Sequence, residues 1–256
     1  MNEKEQLETE IAEMRLDEET PFYNEQRAES IYKILKKQNA KRVLDVGCGL
    51  GKVTTYLAKK GLDVIGIDVS ERLITLAREK AQQNNIDIRF EIVELNKLVV
   101  LEKFDAVLFA GVLEHIEDEE KMMRDAKQFL KEDGKIVITD IPAFQFLFME
   151  RDRRVGHLRR YTKASMKKKL ESQGYENINM KYYNFLMLFG TLYLLVFKKR
   201  EYPYGALNPV VNKCLYLWYK YLENNFIFPI ADRFIAVASP KKSSQNVLNE
   251  YHSKTV

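Results

Sequence analysis

The amino-acid sequence predicts an α/β fold, a doubly wound and mostly parallel sheet with helices on both faces. Three observations carry that prediction. Apolar runs of strand length alternate with stretches of helical period from residue 42 to residue 141. The apolar runs are nearly continuous rather than alternating, as expected of strands covered on both sides. Glycines punctuate the junctions at 47–51, 61 and 134.

The elements follow in chain order. Residues 1–38 read as an N-terminal helical segment, in which Ile31, Ile34 and Leu35 fall at helical spacing. RVLDVGC (42–48) is a first strand and KVTTYLAKKG (52–61) a helix stopped by Gly61. DVIGIDV (63–69) is a second strand, after which Ser70 caps ERLITLAREKAQQN. IRFEIV (88–93) and FDAVLFAG (104–111) are the third and fourth strands. DEEKMMRDAKQFLKEDG (118–134) reads as a helix ending at Gly134, followed by strand KIVITDI (135–141). Thr162 caps a helix over 162–173, a strand follows near 176–183, and FIAVASP (234–240) is a late strand. The domain covers 39–242, with an apolar and aromatic helical insertion at 184–230 and a flexible polar tail at 243–256.

With 256 residues, 46% of them hydrophobic, the chain can bury a sizeable core. Its acidic N-terminal stretch lacks the apolar segment of a signal peptide. Cys48 and Cys214 are far apart and imply neither a disulfide framework nor metal-ligand spacing, so a cytoplasmic setting is expected. Charge is divided: residues 1–150 carry 22 Lys+Arg against 30 Asp+Glu, residues 151–256 carry 19 against 7. Either the second half meets something anionic, or the halves neutralise each other within one fold.

LDVGCGLGKV (44–53) is glycine-rich and lies between strand and helix, where the backbone can approach a ligand. A dinucleotide fingerprint fails because Lys52 stands at its last glycine position. A phosphate-binding P-loop fails at Val46 and Val53. What remains is D-x-G-x-G-x-G, formed by Asp45, Gly47, Gly49 and Gly51 with Cys48 between them. GIDVS ends the second strand with Asp68, placed to accept both hydrogens of a ribose diol, and Val69 follows it.

These motifs resemble those of the class I S-adenosylmethionine-dependent methyltransferases. The resemblance implies a Rossmann-like sheet of order 3-2-1-4-5-7-6 and S-adenosylmethionine as cofactor. It places Asp45, Gly47, Cys48, Gly49 and Gly51 around the cofactor's methionine part, Asp68 at the ribose and Val69 against the adenine. Glu94 takes the acidic place after the third strand, and Phe109, Ala110 and Val112 line the cofactor largely through backbone. Quinone-type O-methyltransferases of this class hold a divalent metal with a similar Glu-His pair and an upstream Glu. Gly111 stands at that upstream place here, so no metal is expected.

The acceptor side is expected near His115, after the fourth strand, and in the basic stretch DRRVGHLRRY (152–161). His115 reads either as a base or as a residue supporting the loop. His157 is a candidate base, Arg159 and Arg160 could hold a phosphate or carboxylate, and Tyr161 could orient a hydroxyl. GHxRRYT resembles a segment of methyltransferases from glycan and lipid-linked sugar pathways. FLMLFGTLYLLVF (185–197), followed by Lys198, Lys199 and Arg200, is too short to span a bilayer and reads as a lid, as core, or as an interfacial segment. The expected function is O-methylation of a small-molecule, glycan or lipid-linked acceptor bearing an anionic group, in the cytoplasm, with peripheral membrane contact an option. The alternatives are a nucleic-acid methyltransferase or a non-catalytic membrane-surface protein. AGVLEH after the fourth strand lacks the D/N-P-P-Y/F-type motif, so nucleic acid is not expected as a partner.

Overall fold

The computed structural model describes residues 21–196, 217–218, 221–222 and 229–241. Residues 1–20 of the expected helical segment, most of the insertion beyond Val196, and the tail at 243–256 lie outside the described residues. In chain order the elements are α1 (Pro21–Lys37), β1 (Arg42–Val46), α2 (Lys52–Lys59), β2 (Asp63–Asp68), α3 (Glu71–Gln83), β3 (Arg89–Ile92) and β4 (Phe104–Ala110). They continue as α4 (Glu119–Ala126), β5 (Leu130–Pro142), α5 (Glu150–Arg154), α6 (Lys163–Ser172), β6 (Tyr175–Tyr183), α7 (Phe185–Val196) and β7 (Arg233–Pro240). The strands form one sheet of order β3-β2-β1-β4-β5-β7-β6. The strands from β1 to β5 pair in parallel, and β7 runs antiparallel to β5 and β6.

The continuous apolar strands are explained by two cores. Successive side chains point to opposite faces, so Leu44, Val107 and Phe109 enter one apolar cluster while Val43, Ala106 and Leu108 enter the other. Met123 of α4 and Leu170 of α6 close the first cluster. Leu35 of α1 and Leu57 of α2 close the second.

One boundary differs from expectation. The helix over 118–134 is shorter: α4 ends at Ala126, a single 3-10 turn follows, and β5 begins at Leu130. Leu130 is buried and pairs with Phe104, with a register shift before Ala106. Gly134 therefore lies inside the strand. A Cβ there would come within 3.0 Å of the Phe104 carbonyl oxygen and of the Lys131 backbone, so the glycine permits a close backbone approach rather than ending a helix.

Gly51 shows how local conformation and packing converge near the site. It precedes α2 with φ 68°, and a Cβ would meet the Phe90 ring at 2.6 Å. Gly51→Ala is expected to cost about 2 kcal/mol through backbone strain and overpacking. Chemical denaturation reads this directly, and an unchanged midpoint would contradict the packing described.

Candidate active site

Beyond β1 the chain turns sharply at Gly47, whose φ is 68°. The amides of Gly47 and Cys48 donate to the Ile67 carbonyl at 2.8 and 3.0 Å, tying the turn to β2. A Cβ on Gly47 would lie 2.8 Å from Val112, so only glycine lets the loop after β4 pack here. Asp68 ends β2. Its Oδ2 accepts from the Gly49 amide and its Oδ1 from the Ser70 amide, both at 2.9 Å. A carboxylate oxygen can accept more than one hydrogen bond. Ser70 caps α3 by accepting from the Leu73 amide at 3.1 Å.

A cavity of about 340 Å³ opens at this edge of the sheet, lined among others by Gly47, Asp68, Val69, Glu94, Val112 and His115. That volume suits a small-molecule site. Val69 leaves 58% of its surface exposed, an apolar face available for stacking. Glu94 is exposed and pairs with Lys97 at 2.6 Å. Asp45 is buried. Its Oδ2 accepts from Thr54 Oγ1 at 2.7 Å, while Oδ1 has no hydrogen-bond partner. Burial raises its carboxyl to about pH 6, against the opposing Thr54 hydrogen bond and Arg27 charge; the Asp68 charge raises it further. A buried acceptor lacking a donor beside a glycine turn fits a cationic ligand, and S-adenosylmethionine carries both a sulfonium and an ammonium.

Phe109 and Ala110, expected to line the cofactor largely through backbone, are not among the residues lining this cavity. Strand alternation turns the Phe109 side chain into the first core, where it is fully buried. The Ala110 carbonyl accepts from Arg27 Nη2 at 2.5 Å. Val112, also expected there, does line the cavity, with Gly111, Asp118 and Lys121 beside it.

On the acceptor side the structure brings the two histidines together. The ring centroids of His115 and His157 are 4.9 Å apart, edge to face. His115 Nδ1 lies 3.2 Å from the Gly156 carbonyl, and His157 Nδ1 lies 3.1 Å from Asp152 Oδ1. A carbonyl and a carboxylate can only accept, so in each neutral ring Nδ1 carries the proton and Nε2 is bare. Burial holds both rings toward the neutral form, His115 down to about 4. Burial pushes Asp152 up, but hydrogen bonds from His157, Arg160 and the Met149 amide outweigh it and leave the carboxyl at about 2.

The basic stretch corrects two expectations. Arg160 is only 3% exposed; its Nε donates to Asp152 Oδ1 at 2.9 Å and its Nη1 to the Ala143 carbonyl at 3.2 Å, with Asp232 at 3.5 Å. Tyr161 is buried, its hydroxyl donating to the Leu113 carbonyl at 3.2 Å. Both side chains hold the loop in place, Arg160 through Asp152 and Tyr161 through Leu113. Arg159 is more exposed: paired with Glu119, it lines a second, open cavity of about 530 Å³, bordered also by Arg160, Tyr161, Ser165, Lys169 and the acidic residues Glu117, Asp118, Glu119 and Glu120.

Sequence reasoning missed a neighbouring cluster. Asp140, at φ 61° although not a glycine, accepts from Arg27 Nε at 2.5 Å and from the Tyr183 hydroxyl. Arg233 donates to the Asp140 carbonyl at 2.7 Å. Burial raises the Asp140 carboxyl, but Arg27 and Arg233 outweigh it and hold it low. Arg27 is 113 residues away, and no local pattern announces the pairing.

The sheet order, the glycine turn and the carboxylate ending β2 define a class I S-adenosylmethionine-dependent methyltransferase fold, and S-adenosylmethionine is the cofactor of that class. A family model described as a methyltransferase domain matches residues 37–179, more than half of the chain, and the chain belongs to that family. It is 35% identical over 102 residues to a ubiquinone biosynthesis O-methyltransferase of Coxiella burnetii, covering 40% of this chain and 44% of that protein. The chain thus spans about half the length of the curated relatives it matches. The YcgJ protein of Bacillus subtilis shares the fold at TM-score 0.58 and 16% identity, over 84% of this chain and 99% of that one. So does a 1,6-didemethyltoxoflavin-N1-methyltransferase of Burkholderia thailandensis, solved with S-adenosylhomocysteine, at TM-score 0.57 and 16% identity over 92% and 88%.

Asp45 generates a pH prediction. Its carboxyl is raised to about 6, so it is neutral below that pH and loses its attraction for a cation. The affinity for S-adenosylmethionine is expected to fall by up to about tenfold per pH unit on the acid side of this value. Isothermal titration across pH 6 measures it, with Asp45→Asn weaker and flatter. A wild-type profile without a break there would rule out the charge of Asp45 as a determinant.

Proposed function

We propose that this chain methylates an oxygen of a small or lipid-linked acceptor that carries an anionic group, using S-adenosylmethionine. The observation that carries the reading is the junction of the cofactor cavity with the histidine pair: His115 lines the cavity and His157 packs against it. The cofactor supplies an activated methyl group. The chain's own residues then have two tasks, holding a nucleophile in line and easing the loss of its proton. The bare Nε2 atoms of His115 and His157 suit the second. Oxygen as the receiving atom is supported by the O-methyltransferase name of the Coxiella relative.

Arg159, at the rim of the second cavity, is the residue we assign to the acceptor's anionic group. An apolar part is supported by α7, where Phe189 is 56% and Val196 69% exposed, directly before Lys198, Lys199 and Arg200 in sequence. An exposed apolar helix followed by cations also fits a cytoplasmic protein that touches a membrane peripherally. No helix among the described residues is long and apolar enough to cross a membrane.

The direct test is a transfer screen with labelled cofactor against lipid, glycan, small-molecule and nucleic-acid fractions. Label should enter one of the first three; label confined to nucleic acid would overturn the proposal. On the acceptor so found, His157→Ala should lower kcat about 100-fold with cofactor affinity unchanged. Arg159→Ala should raise the acceptor KM with little effect on stability. Arg160→Ala should instead cost about 3 kcal/mol of stability, because it leaves buried carboxylates unpaired. Thermal denaturation beside steady-state kinetics separates the two arginines, and equal behaviour would sink the assignment.

A further inference from the structure

Resting on the methyl-transfer reading above, we propose that Asp152 and Glu114 are positioning residues that make His157, rather than His115, the base that takes the acceptor's proton.

Asp152 stands behind His157. Its Oδ1 lies 3.1 Å from His157 Nδ1, and both side chains are buried. The same oxygen accepts from Arg160 Nε at 2.9 Å, and Oδ2 accepts from the Met149 amide at 2.8 Å. A carboxylate held by three donors is fixed, so the ring it orients keeps its proton on Nδ1 and offers Nε2. Behind His115 stands the neutral Gly156 carbonyl. A carbonyl selects the same tautomer but carries no full charge to stabilise an imidazolium.

Glu114 stands on the other side of His157. Its Oε1 lies 3.9 Å from His157 Nε2, too far for a direct hydrogen bond. A hydroxyl oxygen about 2.8 Å from both atoms would bridge them. Gly111 lines the cofactor cavity, and a Cβ there would stand 3.7 Å from Glu114 Oε1, so the gap lies beside the cavity wall.

The charges favour a proton on His157. Asp152 is matched by Arg160, and Asp140 by Arg27. Glu114 is 2% exposed, and its ion-pair partner among the described residues is His157. A buried carboxylate is costly unless paired, and protonation of His157 supplies that pair. Burial lowers the His157 imidazole; the Asp152 hydrogen bond and the Glu114 charge oppose this, while His115 and Arg233 add to it. During transfer the acceptor's O–H bond breaks. Its proton goes to His157 Nε2 and its electron pair to the methyl group that the cofactor supplies, while the carbon–sulfur pair stays on sulfur. The imidazolium then lies between two carboxylates already in place, and it later returns its proton to solvent.

The test is nitrogen-15 NMR of the histidine rings in the full chain, without cofactor or acceptor, assigned through His115→Gln and His157→Gln. Neutral His157 should be the Nδ1–H tautomer in the wild type. Asp152→Asn should populate Nε2–H, because the amide can accept from the Met149 N–H only by turning its NH2 toward His157. Glu114→Gln should move the His157 titration to lower pH, since it removes a negative charge that favours the protonated ring. A purely structural role would alter stability and leave tautomer and titration in place. On the acceptor found by the transfer screen, both variants should lower kcat at least about tenfold with the cofactor KM unchanged. Thermal shift with S-adenosylhomocysteine reports folding. If Asp152→Asn does not fold, the wild-type tautomer and Glu114→Gln decide. An Nε2–H His157 in the wild type, or tautomer and titration unmoved in the folded variants, would overturn the proposal. A screen in which no label is transferred would count against the methyl-transfer reading, while the ring signals still decide on Asp152 and Glu114.

Discussion

The acceptor side of this fold depends on one buried carboxylate. Asp152 accepts from His157 Nδ1, Arg160 Nε and the Met149 amide at once. Arg160 then reaches toward Asp232, which accepts from Thr191 of α7 at 2.8 Å. A loop rich in arginine would otherwise be a solvated surface feature. Here a single carboxylate converts it into a wall, with one arginine turned inward as support and another left at the rim. The arrangement is expensive to desolvate and stable only when complete, so it specifies one loop conformation more than it adds net stability.

The cofactor side is built by different means. Its geometry comes from the backbone: a glycine turn, two amides on the Ile67 carbonyl, and two amides on Asp68. These contacts join residues that are close in sequence or on adjacent parallel strands. The two sides meet at the loop after β4, where Val112 packs on Gly47 and His115 stands next to His157. That loop is the hinge of the chemistry, since it touches both the cofactor cavity and the basic loop.

This division explains what the sequence disclosed. The sheet, the glycine turn, the Ser70 cap and Asp68 are written in patterns spanning fewer than thirty residues, and all were legible. Arg160 and Tyr161 were read as ligands for an acceptor because charge and hydroxyl are visible in a sequence while burial is not. Strand alternation sends the Phe109 side chain to the core, and Gly111 and Val112 line the cavity at the end of that strand. The end of α4 was misplaced because the pairing of Leu130 with Phe104 overrides helical propensity. Glu114 with His157, and Arg27 with Asp140, join residues far apart along the chain, and nothing local marks them as partners.

Asp140 has a consequence for how the molecule reaches its native state. Its carboxyl and carbonyl are met by Arg27 from the first described helix, Tyr183 at the end of β6, and Arg233 at the start of β7. Beginning, middle and end of the chain thus converge on one residue held in left-handed backbone conformation. A partly assembled sheet must leave that aspartate either hydrated or unmatched. The same residue that closes the edge of the finished sheet therefore penalises halfway structures, and acts as a checkpoint for completeness.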